Sequence, residues 1–284
     1  MQVFTTPYGE LVPQYSTDDL RRKELQPVQL YADGNPRLLP LESQTVIKTP
    51  AGPVPAECVS FHPNGTIKRV FPLNGKLSGY WTEADEAGLA KPVALRTPAG
   101  TMTARVISIC FYESQALRSI TLWPDEVVSV QTPVGVIRAR IGVSFYPDGS
   151  IRSLEPAQPT AVMTDIGEVI AYDSDAVGIN GDTNSLTFSR DGSVVAATTV
   201  SSRITVVCPD GSRASHVPSY RESLCGDSER EVVPMQLTFS DHTLDIHFTP
   251  KEDPLQLDRD RYVFFTTKFM PSLPCGLGRM ACAG

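Results

Sequence analysis

Residues 143–154 read VSFYPDGSIRSL, and residues 59–70 read VSFHPNGTIKRV. In each stretch an aromatic residue stands shortly before an Asp-Gly or Asn-Gly turn, and apolar and polar residues alternate around it. This combination is the strongest short-range signal of a β-hairpin. Matching or weaker copies of the turn occur at Asp33-Gly34, Glu113-Ser114-Gln115, Asp191-Gly192 and Ser240-Asp241-His242. The sequence therefore predicts a hairpin that is repeated along the chain.

A second turn signature, Thr-Pro-x-Gly, alternates with the first. Proline presets the backbone angle of an early turn position and glycine supplies a positive φ, so the tetrapeptide predicts a tight turn. Copies begin at Thr6, Thr49, Thr97 and Thr132, and looser versions are Thr164-Asp165-Ile166-Gly167 and Cys208-Pro209-Asp210-Gly211. Two turns per repeat predict six repeats of two hairpins each over residues 1–249, followed by a strand and a Gly/Pro/Cys tail over residues 250–284.

The strands between these turns carry two further signals. Apolar residues such as Ile137 and Ala139 alternate with Arg138 and Arg140, which predicts one buried and one solvated face. The separation between the two turns differs from repeat to repeat, and since a slip of one residue reverses the faces, we expect β-bulges. Four repeats place a small residue at the same distance from the first turn, which predicts a close-packed layer there: Ala56, Ala104, Ala139 and Ala171.

These signals predict an all-β fold, a tandem array of antiparallel β-hairpins that is elongated or solenoid-like. A six-bladed β-propeller is the alternative, because six units of four strands could close a ring and remove the sheet edges. The segment LTFSRDGSVVAATTV (Leu186–Val200) is similar to the blade hairpins of propellers. Two insertions, Ser16–Gln26 and Thr82–Ala90, begin with a capping residue and acidic residues, so each predicts a short helix. A further strand is expected over Tyr262–Thr267.

Composition limits the classes of partner. The chain has 284 residues with 25 Lys and Arg against 32 Asp and Glu, and the net charge of −7 argues against nucleic acid or an anionic membrane as partner. The N-terminal stretch MQVFTTPYGELVPQY lacks a basic region followed by an apolar run, and no apolar stretch predicts a membrane span, so we expect a cytoplasmic protein. Its six cysteines are scattered, and we expect free thiols rather than disulfides.

The run Phe61–Val70, followed by LNGKLSGYW (73–81), resembles the bacterial variant of the MORN-type hairpin repeat. The chain as a whole resembles uncharacterised cytosolic proteins of anaerobic bacteria that carry FYxxGxxxSLxLWP and TPxG blocks, as in Phe111–Pro124. The MORN resemblance implies an elongated antiparallel sheet that binds proteins or lipids. Most repeats lack the second Gly-aromatic pair and the chain is acidic, which disfavours lipid.

Four basic residues stand at one equivalent position, three residues after the turn glycine or its counterpart: Arg37, Lys68, Arg118 and Arg152. Equal positions in repeats share a face, so these residues form either a column that binds an acidic partner or a set of solvated strand charges. If all four strands of a repeat joined one sheet, neighbours would be roughly 19 Å apart, whereas a coiled chain would place them about 5 Å apart. We expect the wider spacing, with no shared anion site.

A second candidate is an oxygen-rich stretch that is typical of calcium loops but lacks the EF-hand spacing and its closing Glu. Its candidate ligands are Asp173, Asp175, Asn180 and Asp182, and a solvated turn is the alternative. The tail pair Cys275 and Cys282 has no nearby His or further Cys to complete a zinc site. The sequence therefore implies no cofactor.

The chain contains none of the GxSxG, HExxH, P-loop or post-strand GxGxxG signatures of common enzymes. Together with the repeats, this favours a non-enzymatic binding or interaction scaffold, with a protein as possible partner. The alternative is an enzyme, for instance a hydrolase, with a site built from loops at one end of a propeller. The ligand and the oligomeric state do not follow from the sequence.

Overall fold

The fold is all-β and antiparallel, as predicted. The structure is a computed structural model and describes residues 3–18, 20–178, 180–222, 230–249 and 252–270. Repeats 1 and 2 contain β1 (Phe4–Thr6), β2 (Gly9–Leu11), β3 (Gln29–Leu30), β4 (Pro36–Thr49), β5 (Gly52–Phe61) and β6 (Ile67–Phe71). Repeats 3 and 4 contain α1 (Glu83–Leu89), β7 (Val93–Thr97), β8 (Gly100–Ala104), β9 (Val106–Phe111), β10 (Leu117–Leu122), β11 (Val128–Thr132), β12 (Gly135–Phe145) and β13 (Ile151–Pro156).

Repeats 5 and 6 and the strands after them complete the order. Repeat 5 contributes β14 (Thr160–Thr164), β15 (Gly167–Ala171), β16 (Leu186–Phe188) and β17 (Val194–Thr199). Repeat 6 contributes β18 (Ser202–Val207), β19 (Arg213–His216), β20 (Ser219–Glu222), β21 (Arg230–Val233), β22 (Met235–Phe239) and β23 (Thr243–His247). Then follow β24 (Leu255–Asp258) and β25 (Val263–Lys268), the second of which confirms the predicted strand near residue 262.

The Asp-Gly and Asn-Gly turns share one geometry. In repeat 4, the backbone N–H of Tyr146 donates to the carbonyl of Ser150 (2.8 Å) and that of Gly149 donates to the carbonyl of Tyr146 (2.9 Å). The glycine takes the left-handed region, with φ 90° at Gly149. Gln115 holds the same place in the weaker copy with φ 70°, and Tyr112 closes that turn in the same way. The predicted turn at residues 113–115 is therefore confirmed without its glycine.

In the Thr-Pro-x-Gly turns, the threonine hydroxyl closes the hairpin. The Thr132 hydroxyl donates to the Gly135 carbonyl (2.6 Å), and the equivalent bond forms in the hairpins that begin at Thr6, Thr49, Thr97 and Thr164. The looser copy at residues 208–211 belongs to the other turn type. There the Cys208 N–H donates to the Ser212 carbonyl (2.9 Å), since Cys208 has no hydroxyl to offer and Asp210 binds the Ser212 N–H instead.

The chain divides into two compact units, Met1–Ala157 with Val177–Ser193 and Gln158–Ala176 with Val194–Gly284. In the first, the hydrogen-bonded order is β16-β13-β12-β10-β9-β6-β5-β4-β3, with β11 paired to β12. In the second, the orders are β24-β23-β22-β17, β19-β18-β25, β14-β15 and β20-β21.

Successive repeats of the first unit join one open sheet through the pairs β6–β9, β10–β12 and β13–β16, instead of forming separate four-stranded blades. The arrangement of these repeats is therefore the open array and not the propeller. The hairpins β1–β2 and β7–β8 form two-stranded sheets of their own, so repeat 3 gives this large sheet only two strands.

Burial and register confirm two finer predictions. The four repeated alanines, Ala56, Ala104, Ala139 and Ala171, have no exposed surface, as a close-packed layer requires. Register shifts mark β-bulges in several pairs, among them β9–β10, β5–β6 and β12–β13. The bulges let each strand keep its apolar side chains on the buried face although the turns differ in spacing.

One helix prediction is right and one is wrong. Helix α1 begins after Thr82, whose side chain accepts from the Asp85 N–H while Asp85 binds the Thr82 N–H, a complete capping box. The described residues of 16–26 contain no helix but an isolated bridge between Asp18 and Arg22. Here a long-range bond set around Arg21 overrides the local helix signal.

Three further expectations concern a membrane span, the thiols and the C-terminal tail. None of the helical segments in the described part of the chain could span a membrane. Cys58, Cys110 and Cys208 are free thiols, as predicted. The predicted tail over residues 271–284, with Cys275 and Cys282, and also Cys225 lie outside the described residues.

Candidate functional site

The large sheet of the first unit has an aliphatic row on one face. Cross-strand partners line up from β4 to β16, and every member of the row has zero exposure: Leu39, Val59, Val70, Ile109, Ile120, Val143, Leu154 and Leu186. Full burial of such a side chain contributes about 1.5–3 kcal/mol. This row fixes the register, because a one-residue slip would expose it.

The neighbouring row on the opposite face is polar. Its members are cross-strand partners of one another: Ser60, Arg69, Cys110, Ser119, Ser144, Ser153 and Thr187. Ser144 and Ser153 share a hydrogen bond of 2.6 Å, and the Arg69 Nε–H donates to the Cys110 sulfur at 2.7 Å. The small side chains leave space above this face for other chain segments.

The four basic residues predicted as a column are the extra residues of four bulges beside this polar row. In β10, Leu117 pairs with Phe111 and Ser119 with Cys110, so Arg118 has no partner residue. Equivalent register shifts leave Arg37, Lys68 and Arg152 without a partner residue on the neighbouring strand. A bulge re-aims the side chain of its extra residue, so the repeats place one cation at each. We call Arg37, Lys68, Arg118 and Arg152 the basic row.

The spacing of the basic row corrects the sequence-based expectation. Members stand on β4, β6, β10 and β13, and one strand separates each from the next in the order of the sheet. With strands about 4.8 Å apart, neighbours are roughly 10 Å from one another, not 19 Å. The wider value was wrong because β4, β5 and β12 each run from one turn type to the other, while β7 and β8 form a two-stranded sheet of their own. At this spacing one extended partner can touch successive members.

Aromatic residues of the turns support the row. The Arg118 guanidinium lies over the Tyr112 ring at 5.8 Å and that of Arg152 over the Tyr146 ring at 6.0 Å, within cation–π range. The tyrosine hydroxyls donate to the backbone of the next repeat, at Phe145 O and Phe188 O (both 2.9 Å). Tyr31 and His62 make the equivalent hydrogen bonds to the backbone of the next repeat, at Phe61 O and Phe111 O. The other two members of the row, Arg37 and Lys68, are exposed. The turns thus hold the row on a rigid frame.

Residues 180–185, which we call the strap, lie on the polar face. The Gly181 N–H donates to the Thr121 hydroxyl (2.9 Å), and a Cβ on Gly181 would lie 2.3 Å from the Ile120 carbonyl oxygen. The Asn184 amide donates to the Ser153 hydroxyl (2.9 Å). Between them, Asp182 binds Arg69 (3.0 Å) and the Ser119 hydroxyl and approaches Arg118 to 3.8 Å.

The predicted calcium ligands have other partners here. Asp173 accepts from the Asp175 N–H (2.9 Å), Asp175 pairs with Arg221 (2.8 Å), and Asn180 accepts from the Asp182 N–H (3.1 Å). Asp173 and Asp175 belong to the second compact unit, whereas Asn180 and Asp182 belong to the first. Across the described ranges, no group of three or more His, Cys, Asp or Glu residues is placed to hold a metal ion. The guanidinium groups of Arg221 and Arg69 neutralise Asp175 and Asp182.

A second ionic cluster in the first unit was not predicted. Arg21 donates to both oxygens of Glu57 (3.0 and 2.6 Å) and both oxygens of Glu86 (2.8 and 2.7 Å). Three further donors bind the same carboxylates, Asn74 N–H, Gly75 N–H and Trp81 Nε1–H. Burial alone would raise the pKa of Glu86, but the hydrogen bonds from Arg21, Trp81 and Gly75 hold that pKa below its usual value. We call this set the Arg21 cluster.

The second unit contains a cleft of about 340 Å³ beside β25. Arg259 crosses it, donating to Asp165 (2.7 Å) and to the Ser240 carbonyl, and His242 Nδ1 lies 2.8 Å from Asp260. Asp241 completes the acidic lining. The cleft has no counterpart among the sequence-predicted sites.

Comparison of the chain with protein-family models, with curated proteins and with solved structures finds no match. The resemblance to MORN-type repeats therefore stays a prediction, and the functional argument depends on the geometry of the chain itself.

Proposed function

We propose that this chain is a non-enzymatic binding scaffold whose basic row docks an extended acidic segment of a partner protein. The observation that carries the proposal is the placement of four cations at four bulges of one sheet, each in the strand that follows a turn whose aromatic residue bonds to the backbone of the following repeat. Repeat arrays present such equal positions as a continuous binding surface.

The spacing defines the partner. An extended chain rises about 3.3 Å per residue, so residues three positions apart match the roughly 10 Å between members of the row. The acidic segment therefore carries Glu or Asp at about every third position. The net charge of −7 opposes long polyanions, whereas a short segment senses only charges within the Debye length of about 8 Å.

The polar groups favour a scaffold over an enzyme. The carboxylates of the Arg21 cluster are surrounded by donors from the protein, so they are held as structural ions. The open sheet of the first unit also removes the propeller end on which the hydrolase alternative depended. A row of cations on a rigid sheet can bind a partner without any catalytic step.

The test is the affinity for a fluorescein-labelled peptide with Glu at every third position among Ser and Gly. The row variant Arg37→Gln/Lys68→Gln/Arg118→Gln/Arg152→Gln should bind about tenfold more weakly, since four solvent-accessible pairs at a few tenths of a kcal/mol each sum to about 1.4 kcal/mol. The control, Lys48→Gln/Lys91→Gln/Arg96→Gln/Arg138→Gln, removes the same charge from exposed residues outside the row. Equal losses in both variants, or no loss in either, would refute the proposal.

A further inference from the structure

We propose that Arg69, Arg118 and Ser119 form a carboxylate-binding site that Asp182 occupies in cis, and that a carboxylate of the acidic partner displaces Asp182. The inference rests on the proposed function and identifies where along the row binding is regulated. The strap is then an internal competitor for the partner.

The contacts around Asp182 are those of a recognised carboxylate. One oxygen lies 3.0 Å from Arg69 and 3.8 Å from Arg118, and the other accepts from the Ser119 hydroxyl. Two guanidinium groups and a hydroxyl that converge on one carboxylate define a site for that group. Arg69 is itself fixed by its bond to Cys110 on the next strand.

Asp182 fills this site incompletely. The distance of 3.8 Å to Arg118 is too long for a hydrogen bond. The Nε atom of Arg118 is buried and has no hydrogen-bond partner among the described residues. An aspartate fixed by the strap backbone does not reach both guanidinium groups, whereas the longer side chain of a partner glutamate can approach from the open side. Binding the partner would satisfy a donor that the strap leaves unsatisfied.

The strap is attached in a way that allows exchange. Its contacts to the sheet are polar bonds from Gly181, Asp182, Asn184 and Ser185, and its close approach depends on two facing glycines. A Cβ on Gly142 would lie 2.2 Å from the Gly181 Cα, so the strap cannot keep its position over any larger residue there. Neither glycine has a left-handed φ, so a substitution acts on the contact and not on the local backbone. Segments held by few buried apolar contacts open at low free-energy cost.

Two variants release the site by different routes. Asp182→Asn removes the competing charge, and Gly142→Ala pushes the strap away while every basic residue stays. Each should bind the acidic peptide about fivefold more tightly than the wild type, because removal of an internal competitor raises the fraction of open sites. The controls are Gly178→Ala, whose Cβ would meet nothing closer than 3.7 Å, and Asp125→Asn, which removes one of the two carboxylates that pair with Arg105 outside the row. Both controls should bind within about twofold of the wild type.

The outcomes separate this inference from the proposed function. Tighter binding by both release variants that disappears when Arg118→Gln is added supports cis occupation. Lower melting temperatures without tighter binding would show that the strap is only structural; the inference then fails, while the proposed function stands if the row variant still loses affinity. Equal binding by wild type and row variant refutes the proposed function instead. A mixed-sequence single-stranded DNA that outcompetes the peptide with the same variant pattern would overturn the assignment to an acidic polypeptide.

Discussion

Two ionic clusters of the first compact unit hold an arginine against carboxylates from distant parts of the chain, and they differ in completeness. In the Arg21 cluster, all four carboxylate oxygens of Glu57 and Glu86 accept hydrogen bonds from Arg21. Around Asp182, one guanidinium is bound, the second is 3.8 Å away, and the Nε of Arg118 is without a partner among the described residues. The complete cluster locks an insertion in place, whereas the incomplete one leaves capacity for another ligand.

The two clusters also differ in burial. Glu57 and Glu86 are only 7% and 5% exposed, so an unpaired charge there would be costly. The side chains of Arg69 and Arg118 are 28% and 37% exposed, so water can replace a lost partner. The difference predicts a large loss of stability when the Arg21 cluster is disrupted and a small one when the strap is displaced.

The largest effect is expected from Arg21→Met. It leaves two buried carboxylates without their cation, and loss of one partner of a buried pair costs about 3 kcal/mol or more. Urea denaturation should show this loss. The matched control is Arg105→Met, whose partners Asp125 and Glu126 are more exposed and whose loss should cost less than about 1 kcal/mol. Equal losses would show that the burial and completeness of the Arg21 cluster add nothing to stability beyond an ordinary surface ion pair.

The next effect compares two glycines. A Cβ on Gly75 would lie 2.3 Å from a Glu86 oxygen, and a Cβ on Gly142 would lie 2.2 Å from the Gly181 Cα. Gly75→Ala should cost about 2 kcal/mol, since the saturated cluster has no room to adjust. Gly142→Ala should cost under about 1 kcal/mol, since the strap moves away. Thermal melts of both variants show which substitution costs more stability. A larger loss in Gly142→Ala would mean that the strap is the more rigid element.

The smallest effect is a pH dependence. The pKa of Glu86 is lowered in the folded protein, so its contribution to stability is present above its unfolded pKa and is lost as the pH falls through the folded one. In Arg21→Met, burial without the cation raises that pKa, so protonation relieves a buried charge. The stability gap between wild type and Arg21→Met should therefore narrow from pH 7 to pH 4. Urea midpoints across this range measure it, and a constant gap would exclude Glu86 as the titrating group.

The repeats were predictable because their signals are local. The turn chemistry lies within four or five residues, and counting from each turn glycine, or from Gln115 in the copy without one, located Arg37, Lys68, Arg118 and Arg152 without a structure. That these four are bulge residues was not predictable, because bulge position depends on which residues pair across strands. The predicted spacing was wrong for a related reason, since nothing local shows that β4, β5 and β12 each run from one turn type to the other or that β7 and β8 leave the large sheet.

The partners of both clusters lay beyond local reasoning. Asp182 is 113 residues from Arg69, and Arg21 is 36 and 65 residues from Glu57 and Glu86. The segment from Ser16 carries a helix-start signal, yet the bonds of Arg21 to two buried carboxylates outweigh a helix propensity of a few tenths of a kcal/mol per residue. The stretch 173–184 suggested calcium because carboxylates that pair with arginine and those that bind metal look alike in sequence.

Two buried thiols report on the two clusters within one molecule. Cys58, next to Glu57, is 3% exposed and burial raises its pKa to about 12, while Cys110, which accepts from Arg69, is 4% exposed and burial likewise raises its pKa. A buried thiol reacts only when its surroundings open. Comparable burial makes the pair a matched reporter.

The most direct test of the account is native-state iodoacetamide labelling of these thiols, followed by peptide mass mapping with and without the acidic peptide. Displacement of Asp182 uncovers the Arg69 region, so the peptide should speed labelling of Cys110 several-fold and leave Cys58 unchanged. In Asp182→Asn, Cys110 should already label faster without peptide. Slower labelling of Cys110 on peptide binding, or equal acceleration of both thiols, would contradict the claim that the basic row binds its partner by displacing the strap.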